Sequence, residues 1–143
     1  MYKCKYFGIK ELVSPLVYKQ FGDFAWSFFD ENFLKDLDLI REKWGGSIII
    51  NDCAWGGQYK ESGLRCNMDS LVKGKSRPYL SGHVLGKGAD LKPRNKKVRE
   101  LHDFIIKISK EFKSIRRIEA FIKTPTWVHV DGLNTDSSEI VIF

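Results

Sequence analysis

The chain has 143 residues, of which 43% are apolar, 13% aromatic and 29% charged; this is the size of one compact domain and excludes a disordered, collagen-like or low-complexity chain. Twenty-four basic residues against 18 acidic ones leave a net charge of +6, a balance that favours polyanionic surroundings such as an acidic cell wall or nucleic acid, or serves solubility alone. No apolar run approaches the roughly 20 residues of a membrane helix, and the opening MYKCKYFGIKELVSP lacks the apolar stretch of a cleaved export signal, so synthesis and folding in a cytoplasm are expected.

In chain order, residues 8–13 read as a short helix closed by Ser14 and Pro15, and residues 21–29 as an aromatic core segment. A clear helix is expected over 32–44. Asp30 can cap it, Phe33, Leu34, Leu37, Ile40 and Trp44 recur at helical spacing, and Gly45-Gly46 stops it. Residues 47–51 (SIIIN) read as a buried strand. A glycine-containing loop then runs over 52–79, a length that in compact domains usually carries function. A short strand at 88–91 precedes a second helix over 95–113, where Val98, Leu101, Ile105, Ile108 and Phe112 mark one face. Strands at 114–121, 127–131 and 139–143 complete the chain, the last two joined by a hairpin-like connection over 132–138. Helices early and strands late imply a single α+β domain, residues 1–143, with a small, mostly antiparallel sheet and flanking helices.

Three cysteines, Cys4, Cys53 and Cys66, are widely spaced with no CxxC pair, so ordinary thiols are expected rather than disulfides or a thiolate metal site. The one dense basic stretch is 92–99, and no RNA-recognition signature, zinc-finger spacing or basic zipper occurs. Specific nucleic-acid binding is therefore not expected. No GxxxxGK[ST], GxSxG or HExxH is present either.

Two of the three histidines lie in distinctive surroundings. In Ser81-Gly82-His83-Val84-Leu85-Gly86-Lys87-Gly88-Ala89-Asp90, glycines let the chain turn back on itself. His83 and Asp90 can then face one point with donor atoms suited to zinc. A glycine-rich turn with a surface histidine is the alternative. In Trp127-Val128-His129-Val130-Asp131, strand alternation puts Trp127, His129 and Asp131 on one face and the valines in the core; a plain amphipathic strand is the alternative. A His2Asp set leaves a fourth coordination position open, as catalytic zinc sites do. His102, beside Leu101 on the second helix, reads as a boundary residue without chemistry.

The two segments together, Ser-x-His-x-x-Gly-x-x-x-Asp and some forty residues later Trp-x-His-x-Asp, resemble the M15 family of zinc peptidases. These are the D-Ala-D-Ala carboxypeptidases and the phage L-alanyl-D-glutamate endopeptidases, with a hedgehog-like fold. One position departs from the family pattern: Gly88 stands where a small alanine is usual, and Ala89 is displaced by one. The resemblance runs from about Ser47 to Asp131 through Asn51 and Arg65. It implies that His83, Asp90 and His129 hold one Zn2+, and that a further carboxylate serves as general base. Thr126 occupies the usual position of that acid and cannot act. Glu119 and Asp131 are the candidates; Glu119 is favoured because antiparallel pairing of its strand with 127–131 across the 120–126 loop could bring it beside His129 and because hedgehog-like relatives carry a Glu at the end of that strand, and Asp131 is expected to buttress a ligand histidine. Pairing with Arg116 or Arg117 is the plain alternative for Glu119. Arg65 and Ser81 are implied as substrate-binding residues. The glycine-containing loop can also bring Trp55, Gln58 and Tyr59 to the cleft, with ordinary loop packing as the alternative. The implied activity is hydrolysis of peptidoglycan stem peptides, as in a phage or prophage lysin that reaches the wall after release or sits in the virion. The expected partner is the stem peptide and the expected state a monomer. A catalytically silent wall-binding or virion structural domain is the other reading.

Overall fold

The computed structural model describes all 143 residues. Five short or medium helices and five strands, with three helices first and three strands last, give a mixed α/β molecule. Helix α1 (Ile9–Leu12) is followed at once by α2 (Pro15–Phe21). Ser14 and Pro15 therefore open a second helix rather than merely closing the first. The Ser14 hydroxyl accepts the Val17 amide at 3.3 Å, and proline suits the first helical position because no intrahelical N–H is needed there. The aromatic segment after α2 is a 3₁₀ run, Gly22–Phe28. Ala25, Trp26 and Phe29 enter the core, whereas Phe21, Phe24 and Phe28 stack edge to face on the surface. Only part of the aromatic segment is thus core.

Helix α3 (Glu31–Trp44) behaves as its periodicity requires. Asp30 caps the Phe33 amide at 2.9 Å, Phe33, Leu34, Leu37 and Ile40 are fully buried, and Gly45 ends the helix in the left-handed region at φ 69°. Two of its aspartates are also buried. Asp36 accepts the backbone amides of Lys113, Ser114 and Ile115, and Asp38 those of Lys5 and Tyr6. These carboxylates replace the water that loop amides would otherwise need. Asp36 thereby fixes the chain just before it enters the sheet.

The remaining elements are β1 (Ile48–Ile49), α4 (Ser70–Lys73), β2 (Gly88–Pro93), α5 (Val98–Ile108), β3 (Arg117–Ile118), β4 (Val128–Asp131) and β5 (Val141–Ile142). The stretch 52–79 is mostly irregular, interrupted by a 3₁₀ turn at Cys53–Trp55 and by α4. The sheet order is β1-β2-β4-β3-β5, with three antiparallel pairings and one parallel pairing, β3 with β5. The hairpin expected between the last two strands does not form. Both edges of β4 are taken, by β2 and β3, so β5 joins the outer edge of β3.

Strand alternation divides the sheet's faces. Ala89, Leu91, Val128, Val130 and Ile118 are buried on one face with Leu101 and Ile105 of α5 in the same core. The opposite face carries Gly88, Asp90, His129, Asp131 and Arg117. No helix is long and apolar enough to cross a membrane.

Candidate metal centre

Register brings the polar face together. Asp90 lies directly opposite His129, and Gly88 and Arg117 both lie opposite Asp131. Just beyond β3, the Glu119 amide donates to the His129 carbonyl at 3.0 Å. The Phe143 amide donates to Ile118 and its carbonyl accepts Ala120, which sets Phe143 beside Glu119. One row across the sheet therefore reads Asp90, His129, Glu119, Phe143; the next reads Gly88, Asp131, Arg117. Cross-strand neighbours of this kind are within side-chain reach.

His83 joins from outside the sheet, on the turn 81–87. That turn packs so tightly that a Cβ on Gly82 would lie 2.7 Å from the Asp131 Cβ, and one on Gly88 2.6 Å from Gly82. The glycines of the motif let the turn lie against β2 and β4. His83 Nε2 is then 3.2 Å from His129 Nδ1 and 3.3 Å from Asp90 Oδ1, while His129 Nδ1 is 2.8 Å from the same Oδ1. Ligands about 2.05 Å from a tetrahedral zinc are about 3.3 Å apart. The three atoms thus form nearly the triangle that one face of such a site requires, and the set is the one group of three His, Cys, Asp or Glu side chains in the chain that could hold a metal ion.

The outer contacts orient the lone pairs. His83 Nδ1 is 2.8 Å from the Gly63 carbonyl, which can only accept, so Nδ1 carries the hydrogen and Nε2 faces inward bare. His129 Nε2 is 3.1 Å from Asp131 Oδ2, so its hydrogen points outward and Nδ1 faces Asp90. Two imidazole lone pairs and a carboxylate oxygen converge on one point. Such convergence of acceptors needs a cation, either a metal ion or a proton on His129. Burial lowers the pKa of His83. Burial also opposes charge on His129, but Asp131 and Asp90 outweigh it and raise that imidazole to about 9. Despite burial, hydrogen bonds from both histidines hold Asp90 well below the usual carboxylate range.

Asp131 is committed. Arg117 grips it with both arms of the guanidinium at 2.8 Å, the Leu133 amide donates to Oδ1 at 3.1 Å, and His129 takes Oδ2. Against the cost of burial, Arg117 leads the interactions that keep its pKa near 2. Glu119 differs: it lines the same cleft, and its carboxylate makes no hydrogen bond or ion pair with the chain. Neither Arg116 nor Arg117 pairs with it. Thr126 is exposed and does not line the cleft, although its neighbour Trp127 does.

Arg65 and Ser81 both line the cleft. Arg65 Nη2 is 3.3 Å from Asp90 Oδ2, Nε donates to the Glu61 carbonyl, and Nη1 has no partner in the chain. Gln58 and Tyr59 line an adjoining groove that shares Arg65, Asp90 and Trp127 with the cleft. Trp55 stands away from both, 67% exposed. Lys92, part of the dense basic stretch, is not surface charge. Its ammonium is buried between Ser62 Oγ at 2.9 Å and the Asp90 carbonyl at 2.8 Å, over the Tyr59 ring, and burial lowers its pKa to about 8.

Sequence reasoning missed Arg117 as a site residue, although it shares strand alternation with Glu119. It also missed Phe143, whose ring lies 4.3 Å below the Arg117 guanidinium, because the placement of β5 depends on strand order. No family model, curated protein or solved structure matches the chain. The chemistry must therefore be argued from these residues.

Proposed function

We propose that this protein is a zinc-dependent peptidase that hydrolyses peptidoglycan stem-peptide bonds, an endolysin-like wall-degrading enzyme with a hedgehog-like arrangement. The observation that carries the reading is the convergence of His83 Nε2, Asp90 Oδ1 and His129 Nδ1, each histidine fixed in the required tautomer from outside. The order of the Ser81-to-Asp90 and Trp127-to-Asp131 motifs supports the substrate class through their likeness to the M15 peptidases.

Zinc held by this triad would polarise a scissile carbonyl and make water acidic enough to ionise near neutral pH. The chain's own residues divide the remaining work. Glu119 takes the proton of the attacking water and returns it to the leaving amine, a role that needs a carboxylate in the cleft with no other commitment. Asp131 and Arg117 hold His129 in its tautomer. Arg65 steadies Asp90 and offers its unpaired Nη1 to a substrate carbonyl or carboxylate. The cationic chain favours an anionic wall.

Purified sacculi and casein, incubated in parallel with the zinc-loaded protein, test the reading. New muropeptides from sacculi with casein intact are expected; casein cleavage without new muropeptides overturns the substrate class. Glu119→Gln should retain zinc and lose roughly 10²–10⁴-fold in turnover. If instead that variant is active and Asp131→Asn retains zinc but is inactive, Asp131 is the base.

A further inference from the structure

We propose that His102 is a positioning residue for Glu119, holding the end of β3 so that the uncommitted carboxylate stays in the cleft; this rests on the reading of Glu119 as general base. His102 lies on α5 between Leu101 and Ile105, which are fully buried, and is itself only 5% exposed. An imidazole among apolar side chains must find a partner. Its Nε2 is 3.1 Å from the backbone carbonyl of Glu119.

That contact is the sole hydrogen bond to the Glu119 carbonyl. The Glu119 amide still pairs with the His129 carbonyl, but no backbone N–H returns to Glu119. The β3–β4 ladder has ended at Ile118, and an imidazole N–H takes the place of its next rung. Because a carbonyl only accepts, Nε2 carries the hydrogen. Nδ1 is left with no partner, since the nearest carboxylate oxygen, on Asp103, stands 3.6 Å away. The ring also meets Phe121, two residues past Glu119, at a centroid distance of 6.1 Å. His102 thus holds residues 119–121 against α5, while the Ala120 amide is tied to Phe143. With its backbone bonded to His129 on one side and His102 on the other, Glu119 projects its side chain from a fixed point.

The test compares His102→Leu, which removes the donor, with His102→Gln, whose amide Nε2 can donate from a similar reach. In the zinc-free protein, the Glu119 carbonyl-carbon resonance should shift in His102→Leu and return towards wild type in His102→Gln. In the zinc-loaded protein, kcat on a muropeptide should fall roughly 10–100-fold in His102→Leu, as for a misplaced catalytic group. KM and zinc stoichiometry should be unchanged, and His102→Gln should recover most of the loss. Added to Glu119→Gln, His102→Leu should cost nothing more, since it acts only through that carboxylate. An unmoved Glu119 resonance, a loss common to both variants, or a loss that multiplies with that of Glu119→Gln overturns the proposal. Near wild-type turnover in Glu119→Gln alone overturns the base assignment and the positioning role with it, whereas an active, His102-insensitive enzyme that requires Glu119 overturns only the latter.

Discussion

The two histidines of the triad are held in opposite ways. On the turn 81–87, His83 is deeply buried and its outer nitrogen meets a neutral backbone carbonyl, so burial lowers its pKa. On β4, the outer nitrogen of His129 meets the Asp131–Arg117 ion pair, and the imidazole rises to about 9. The same inward-facing lone pair is produced on both sides, but only the strand side stores a proton near neutral pH. A metal ion entering the triad would displace nothing from His83 and one proton from His129. The turn gives rigidity; the strand gives a charge that can be exchanged.

The comparison is broken most severely by deleting a ligand. His83→Ala and His129→Ala should each abolish stoichiometric zinc binding, measured by metal analysis after gel filtration, and their combination should leave none. Full zinc content in the double variant would remove the site altogether. A smaller effect is expected from the support. Asp131→Asn should weaken zinc binding roughly 10–100-fold, the usual cost of losing a carboxylate behind a ligand histidine. No side-chain substitution can do the same to His83, because its partner is the Gly63 main chain.

The difference in stored charge can be titrated. Zinc binding near pH 7 should release about one proton per ion from His129 beyond that given up by water on the metal, read from calorimetry in buffers of different ionisation enthalpy, and this His129 share should fade as pH rises through about 9. In Asp131→Asn the release should shrink, since one of the two carboxylates that raise His129 is neutral. The smallest effect is on the metal-free fold. His129 binds its proton more tightly when folded than the ordinary value of 6.5, so its contribution is fully present below pH 6.5 and is lost as pH rises through about 9. Thermal unfolding of the metal-free protein should therefore move to lower temperature between pH 6.5 and 9. The zinc-loaded protein should lack this trend, having no proton there to lose.

What the sequence made legible follows from range. The helix 31–44 and its Asp30 cap are local, set by 3.6-residue periodicity and one side-chain bond, and they were readable. So were His83, Asp90 and His129, each marked by its neighbours within a short motif. Glu119 beside His129 was expected from the pairing of their strands, but the full row Asp90–His129–Glu119–Phe143 was not, because the places of β2 and β5 depend on which further strands meet. With β2 and β3 already flanking β4, the expected final hairpin had no free edge to form on. Lys92 gave no sign of burial, because nothing nearby in sequence announces that Ser62, Tyr59 and the Asp90 carbonyl enclose it. His102 read as a bystander because its partner is a main-chain oxygen seventeen positions away, which no side-chain pattern reveals.

The most direct measurement of the central claim is mass spectrometry of defined muropeptides incubated with the protein in three states: zinc-loaded, chelator-stripped and reconstituted. Peptide-bond hydrolysis, seen as two fragments whose summed mass exceeds the substrate by one water, is expected in the first and third states and not in the second. Muropeptides left intact by fully zinc-loaded protein, or cleaved equally well after the metal is stripped, would contradict it.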